Sequence, residues 1–146
     1  MKTVEKSVLI WFSAAEMFAL VTDVARYPEF LPWCNKSAVL ASDAHGATAQ
    51  VGIALGALHQ SFTTRNTYEA DRRVGMALVD GPFSQLDGAW VFTPVGDAKQ
   101  RACRVSLELN YGFDNAALAA VVGPVFDKIA GSLVDAFVKR AEQVYG

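Results

Sequence analysis

Alternation comes first along this chain. Residues 3–12, TVEKSVLIWF, place Val4, Lys6 and Val8 on one side and Glu5, Ser7 and Leu9 on the other, then turn wholly apolar. That two-residue period predicts a strand. Ser13 followed three residues later by Glu16 is an S-x-x-E capping box, which opens a helix over SAAEMFALVTD, with Met17, Leu20 and Val21, or Phe18 and Val21, as its inward side. Next comes ARYPEFLPWC (25–34), which holds four large apolar side chains, Tyr27, Phe30, Leu31 and Trp33, and two prolines. Pro28 suits the first position of a helix and Pro32 cannot continue one, so a helix of little more than one turn is expected. So short a helix is not stable alone, and its aromatic surface needs something to pack against.

From Asn35 to Asp114 the pattern is that of about six strands. Turn residues separate them: Asp43-Ala44-His45-Gly46, Ala70-Asp71-Arg72-Arg73, Gly81-Pro82, Asp87-Gly88 and Gly96-Asp97-Ala98. Such short connections favour an antiparallel meander. In the last strand Cys103, Val105, Leu107, Leu109, Tyr111 and Phe113 alternate with Arg104, Ser106, Glu108 and Asn110, so the sheet has a dry face and a wet one. A long helix then runs from a cap at Asp114 or Asn115, with a stripe at Leu118, Val122, Val125, Ile129, Leu133 and Ala136. Gly123-Pro124 should kink it or start it afresh.

The expected architecture is α+β: a curved antiparallel sheet of seven strands wrapped around the C-terminal helix, with two short helices after the first strand, as one domain over 1–146. Only the last helix is long enough to cover the dry face. The aromatic elbow at 27–33 then falls across the mouth of the space between helix and sheet.

Composition supports a large core, an apolar cavity or an exposed apolar patch, since 52% of the 146 residues are hydrophobic and the mean hydropathy is +0.21. The net charge of −2 gives no global attraction to nucleic acid or anionic lipid. The longest apolar run, Ala116 to Phe126, has 11 residues and contains Gly123 and Pro124, against the ~20 that a membrane span needs. The N-terminus carries Lys2, Glu5 and Lys6 and no small-residue cleavage site, so it reads as a strand rather than a leader. Cys34 and Cys103 make no C-x-x-C and read as free thiols of a reducing cytoplasm.

Catalytic chemistry has little to work with. His45 lies in a turn and His59 in a strand, with no H-x-x-x-H or Cys/His cluster, so no metal site is expected. Cys34 and His59 are the one nucleophile–base pairing to consider, and two lone residues carry no geometry. VGIALGAL lacks phosphate-loop spacing, and its glycines read as bulges in strands. The inward positions hold no placed acid or base, so the expectation is not an enzyme, and no cofactor is required.

The pieces VARYPEFLPWCNKSAVL (24–40), DGPFSQLDGAWVF (80–92), LELNYGF (107–113) and VDAFVKRAEQVYG (134–146), in this order, resemble the START-like helix-grip superfamily. Within it the chain is similar to the coenzyme Q-binding START-domain family and its bacterial branch of ribosome-associated toxins and oligoketide cyclases. The resemblance implies a cytoplasmic protein holding a hydrophobic ligand, ubiquinone or a related polyprenyl lipid, under the C-terminal helix, in support of respiration. It also implies transient contact with the inner face of the membrane. Some bacterial relatives instead bind the large ribosomal subunit and block subunit joining, and others are cyclases or dehydratases. A monomer is expected.

For a ligand the lining would be Tyr27, Phe30, Leu31, Trp33, Phe83, Trp90, Phe92, Tyr111, Phe113, Val125, Ile129, Leu133 and Phe137. Three isoprene units, fifteen carbons, yield at most ~12 kcal/mol on burial, of which association takes ~4–15 kcal/mol; a carrier suits that balance better than an enzyme. For RNA, Arg65, Arg72, Arg73, Arg101 and Arg104 lie in the strand half. They make either phosphate contacts or an ordinary solvated face beside Glu69, Asp71 and Glu108. The last strand offers that face no aromatic for base stacking.

Overall fold

The computed structural model describes residues 2–97 and 101–146. Strand β1 (Lys2–Ile10) is followed by helix α1 (Ala14–Thr22) and a 3-10 helix (Val24–Glu29). Then come β2 (Cys34–Asp43), β3 (Gly46–Leu55), β4 (Leu58–Glu69), β5 (Arg73–Asp80), β6 (Phe83–Pro94) and β7 (Cys103–Phe113), and last helix α2 (Ala116–Tyr145). The seven strands form one sheet in the order β1-β7-β6-β5-β4-β3-β2. Every neighbouring pair is antiparallel. This is the helix-grip architecture expected from the pattern.

Local chemistry explains the element starts. The Ser13 hydroxyl accepts from Glu16 N–H at 3.1 Å and the Glu16 carboxylate accepts from Ser13 N–H at 2.9 Å, the reciprocal capping box. Asn115 caps α2 by accepting from Leu118 N–H at 2.8 Å. The short helix opens at Val24, ahead of Pro28, because Arg26 N–H already closes a turn on the Asp23 carbonyl at 3.2 Å. Pro28 lies inside this helix rather than at its start.

Several expectations change. Asp87-Gly88 is no turn: β6 runs straight through it, with Gly88 opposite Met76 on β5 and Leu109 on β7. A Cβ at Gly88 would sit 2.0 Å from the Glu108 carbonyl oxygen, so glycine is there to let two backbones approach. Of the two outcomes expected at Gly123-Pro124, a fresh start does not occur: α2 is one helix of 30 residues with Pro124 inside it. By length and composition α2 is apolar enough to cross a bilayer, which the run-length reading did not show. Here it is the gripped helix, burying Val122, Phe126, Ile129, Ala130, Val134, Phe137 and Ala141. The glycines of 51–58 divide in role: Gly52 faces a bulge in β2, between Cys34 and Lys36, while Gly56 turns the hairpin at φ +58°.

Candidate functional site

Helix α2 leans on β7, β1 and α1, and the space left towards β3, β4 and β5 is an apolar cavity of about 80 Å³. The elbow contributes Val24, Tyr27, Leu31 and Trp33, and α2 contributes Phe126, Ile129, Leu133 and Phe137. The sheet supplies Ala49 and Val51 from β3, Phe62, Thr64 and Asn66 from β4, and Met76, Leu86, Trp90 and Leu109 from the remaining strands.

The aromatic elbow therefore packs against the far half of α2 and forms one wall of the cavity. Phe137 takes Tyr27 at 5.5 Å, Phe30 at 5.1 Å and Trp90 at 5.1 Å, all near edge-to-face. Arg140 lies over the Phe30 ring at 5.0 Å and donates to Glu29 at 2.8 Å, tying elbow to helix from outside. The Tyr27 hydroxyl donates to the Val21 carbonyl. Burial pushes its pKa well above the ordinary phenol range.

Of the residues expected to line a ligand site, Tyr27, Leu31, Trp33, Trp90, Ile129, Leu133 and Phe137 meet at the cavity. Phe30 covers Phe137 from outside. Val125 is half-buried and its neighbour Phe126 takes the inward position, one step of ~100° around the helix. Phe83 and Tyr111 pack on the other side of the cavity-lining Phe126, at 4.9 and 4.6 Å, and Phe113 stacks on Phe83 at 5.2 Å, so these three adjoin the cavity without lining it. The Tyr111 hydroxyl donates to Asp127 at 2.5 Å, and Lys2 holds the other Asp127 oxygen at 2.6 Å. Phe92 packs under α1, 6.1 Å from Phe18.

The pattern missed the face of β4. Phe62, Thr64, Asn66 and Tyr68 share its inward side, and Thr64 donates to the Asn66 side-chain oxygen at 2.7 Å within an otherwise apolar lining. Strict two-residue spacing was the available signal, masked because the two middle members are polar.

The lining holds no carboxylate, imidazole, thiol or amine. Cys34 is buried beside it, its thiol donating to the Lys36 carbonyl at 3.3 Å and its pKa raised by desolvation, while His59 is exposed. The two make no nucleophile–base pair. Burial likewise pushes Cys103 up to about 11. Among the described residues no three of His, Cys, Asp and Glu cluster as metal ligands.

The arginines do not form one surface. Arg101 is held at the end of α1 and α2, donating to both Glu16 oxygens at 2.6 and 2.5 Å and lying 5.2 Å over Phe12. Arg65 is clamped by both oxygens of Asp43 at 2.9 and 2.8 Å. Arg72 turns back to the Asp71 carbonyl at 3.1 Å. Arg73, loosely paired with Glu69 at 3.9 Å, and Arg104 face outward from the sheet. A broad open groove crosses that face, with Arg65 and Arg73 towards one side and Glu5 and Glu108 towards the other.

The sequence pattern of the polyketide cyclase / dehydrase and lipid transport family matches residues 10–138. The chain belongs to this family. Among its relatives is a Vibrio cholerae protein named ribosome association toxin RatA, 43% identical over 146 residues, covering 100% of this chain and 99% of that one. A Xenopus laevis protein named coenzyme Q-binding protein COQ10 homolog B, mitochondrial, is 25% identical over 142 residues, which is 97% of this chain and 58% of that one. Among solved structures, a START superfamily protein from Mycobacterium smegmatis superposes with a TM-score of 0.80 over 97% of this chain and 98% of that one, at 19% identity. At that identity the likeness speaks for the fold.

Proposed function

We propose that this family member is a non-enzymatic, ribosome-associating protein that acts in the cytoplasm by occupying the large subunit and opposing subunit joining. The observation that carries this is the 43% identity, spread over the whole chain, to a protein named for ribosome association. Geometry adds to it. Ligand pockets for molecules of drug size are ~300–1,000 Å³, and an engineered cavity that takes up a single benzene is ~150 Å³. The cavity here, about 80 Å³, is smaller than either, so a quinone ring enters only if the elbow or α2 moves. The reading places ribosome association ahead of the quinone carriage that the sequence put first. A lining without acid or base speaks against cyclase chemistry in this chain.

Lipid binding stands as the second reading, favoured by the Thr64–Asn66 pair, whose amide offers a polar head group a partner inside an apolar wall. One preparation tests both. Protein purified from its own host is sedimented with isolated large subunits across a salt series and, in parallel, extracted with organic solvent for mass spectrometry. Salt-sensitive co-sedimentation with no recovered lipid supports the proposal; stoichiometric polyprenyl lipid without co-sedimentation reverses the order of the two readings.

A further inference from the structure

The outer face of the sheet carries a patch that neither the cavity nor its packing uses. Register places Arg73, Val91, Ser106 and Ser7 in one row across β5, β6, β7 and β1. The next row holds Thr93, Arg104 and Leu9, with Trp11 just beyond the end of β1. Trp11 is 76% exposed, Leu9 46% and Val91 39%. Arg104 reaches the Ser7 hydroxyl at 3.3 Å, which fixes the guanidinium between the rows. An indole this exposed is unusual, because a tryptophan with nothing to cover it loses its burial energy.

We infer that Trp11, just past β1, and Arg104 of the adjoining β7 form a stacking site for unpaired RNA, with Arg73 three strands away from β1 on the same face. This rests on the ribosome reading for its biological partner but not for its chemistry. A flat, exposed indole offers a stacking surface to any base, and the Arg104 guanidinium on the neighbouring strand suits a phosphate of the same RNA segment. Apolar side chains in the rows, Leu9 and Val91, give a second base a dry edge to rest on. A second copy of the chain fits less well, since a self-facing patch sets like charges together.

The three tryptophans allow a direct test. Trp33 and Trp90 are 8% and 3% exposed, so quenching on addition of RNA reports on Trp11. The full chain is titrated with an adenine oligoribonucleotide of about ten nucleotides, and co-sedimentation with large subunits is measured on the same variants. Saturable quenching is expected. By anisotropy of a labelled oligonucleotide, Trp11→Ala weakens binding about tenfold or more while Trp11→Phe restores most of it. Arg104→Gln lowers the slope of log affinity against log salt by about 0.7. Wild-type urea midpoints in all variants exclude misfolding. If the oligonucleotide does not bind and Trp11→Ala sediments like wild type, the inference falls and the ribosome reading survives. Oligonucleotide binding without co-sedimentation leaves the inference and removes the ribosome reading. Loss of co-sedimentation in Trp11→Ala with no oligonucleotide binding makes the patch a protein contact, which also overturns the inference.

Discussion

Glu16 joins three parts of the chain. Its carboxylate caps α1 through Ser13, grips Arg101 ahead of β7, and its own carbonyl accepts the Tyr145 hydroxyl at 3.1 Å from the last turn of α2. The Arg101 hydrogen bonds hold the Glu16 pKa down at about 2, against the opposing effect of partial burial. A carboxylate whose pKa is lowered on folding binds protons less readily in the native state, so it stabilises most above its unfolded value near 4.5 and progressively less as pH falls towards 2. Glu16→Gln should therefore lower the urea midpoint at pH 6, with the gap from wild type shrinking between pH 4.5 and 2. A gap that is constant across that window would mean that the charge is irrelevant. The same tie explains why Arg101, grouped by sequence with the RNA-facing arginines, is committed to a fastening instead.

At the scale of elements, Gly88 shows how a local signal misleads. Asp-Gly is a strong turn dipeptide, yet here the glycine serves the middle of β6, where the Glu108 carbonyl leaves no room for a Cβ. Gly88→Ala should push β6 from β7 and cost about 3 kcal/mol or more, read as a lowered midpoint of chemical unfolding, whereas an outward neighbour such as Gln85→Ala should shift it little. Strand count, element order and caps were legible because alternation and capping are local properties of the chain. The two faces of β7 were legible for the same reason. The cavity was only half so. Residues on the elbow and α2 announced themselves by size, but Val125 and Phe126 differ only by rotation about the helix, and Phe83 and Phe113 join a cluster that only the sheet register assembles. Thr64 and Asn66, polar and inward, break the rule by which inward positions are recognised.

For the whole molecule, the question is whether cavity and surface serve one function or two. Ala49 lines the cavity and is 2% exposed, so Ala49→Val adds methyl groups where there is already space. Filling of this kind commonly stabilises by about 0.5–2 kcal/mol. The expected outcome is a higher melting temperature with co-sedimentation on large subunits unchanged. A variant that is more stable yet no longer sediments would tie the interior to ribosome binding and bring the lipid reading into the same mechanism.

The pairing of β1 with β7 also has a consequence for how the chain comes into being. Lys2 sits opposite Tyr111 and Ile10 opposite Cys103, so the first strand of the domain has its hydrogen-bonding partner in the last. Helix α2, which the sheet encloses, follows later still. Pairings so distant along the chain are slow to form, because a long loop must close before they return anything. While its own message is being read, β1 waits with a bare edge and the core has no helix to grip. The sheet therefore gains its β1 edge, and the helix its grip, only once the loop that runs from Ile10 to Cys103 has closed.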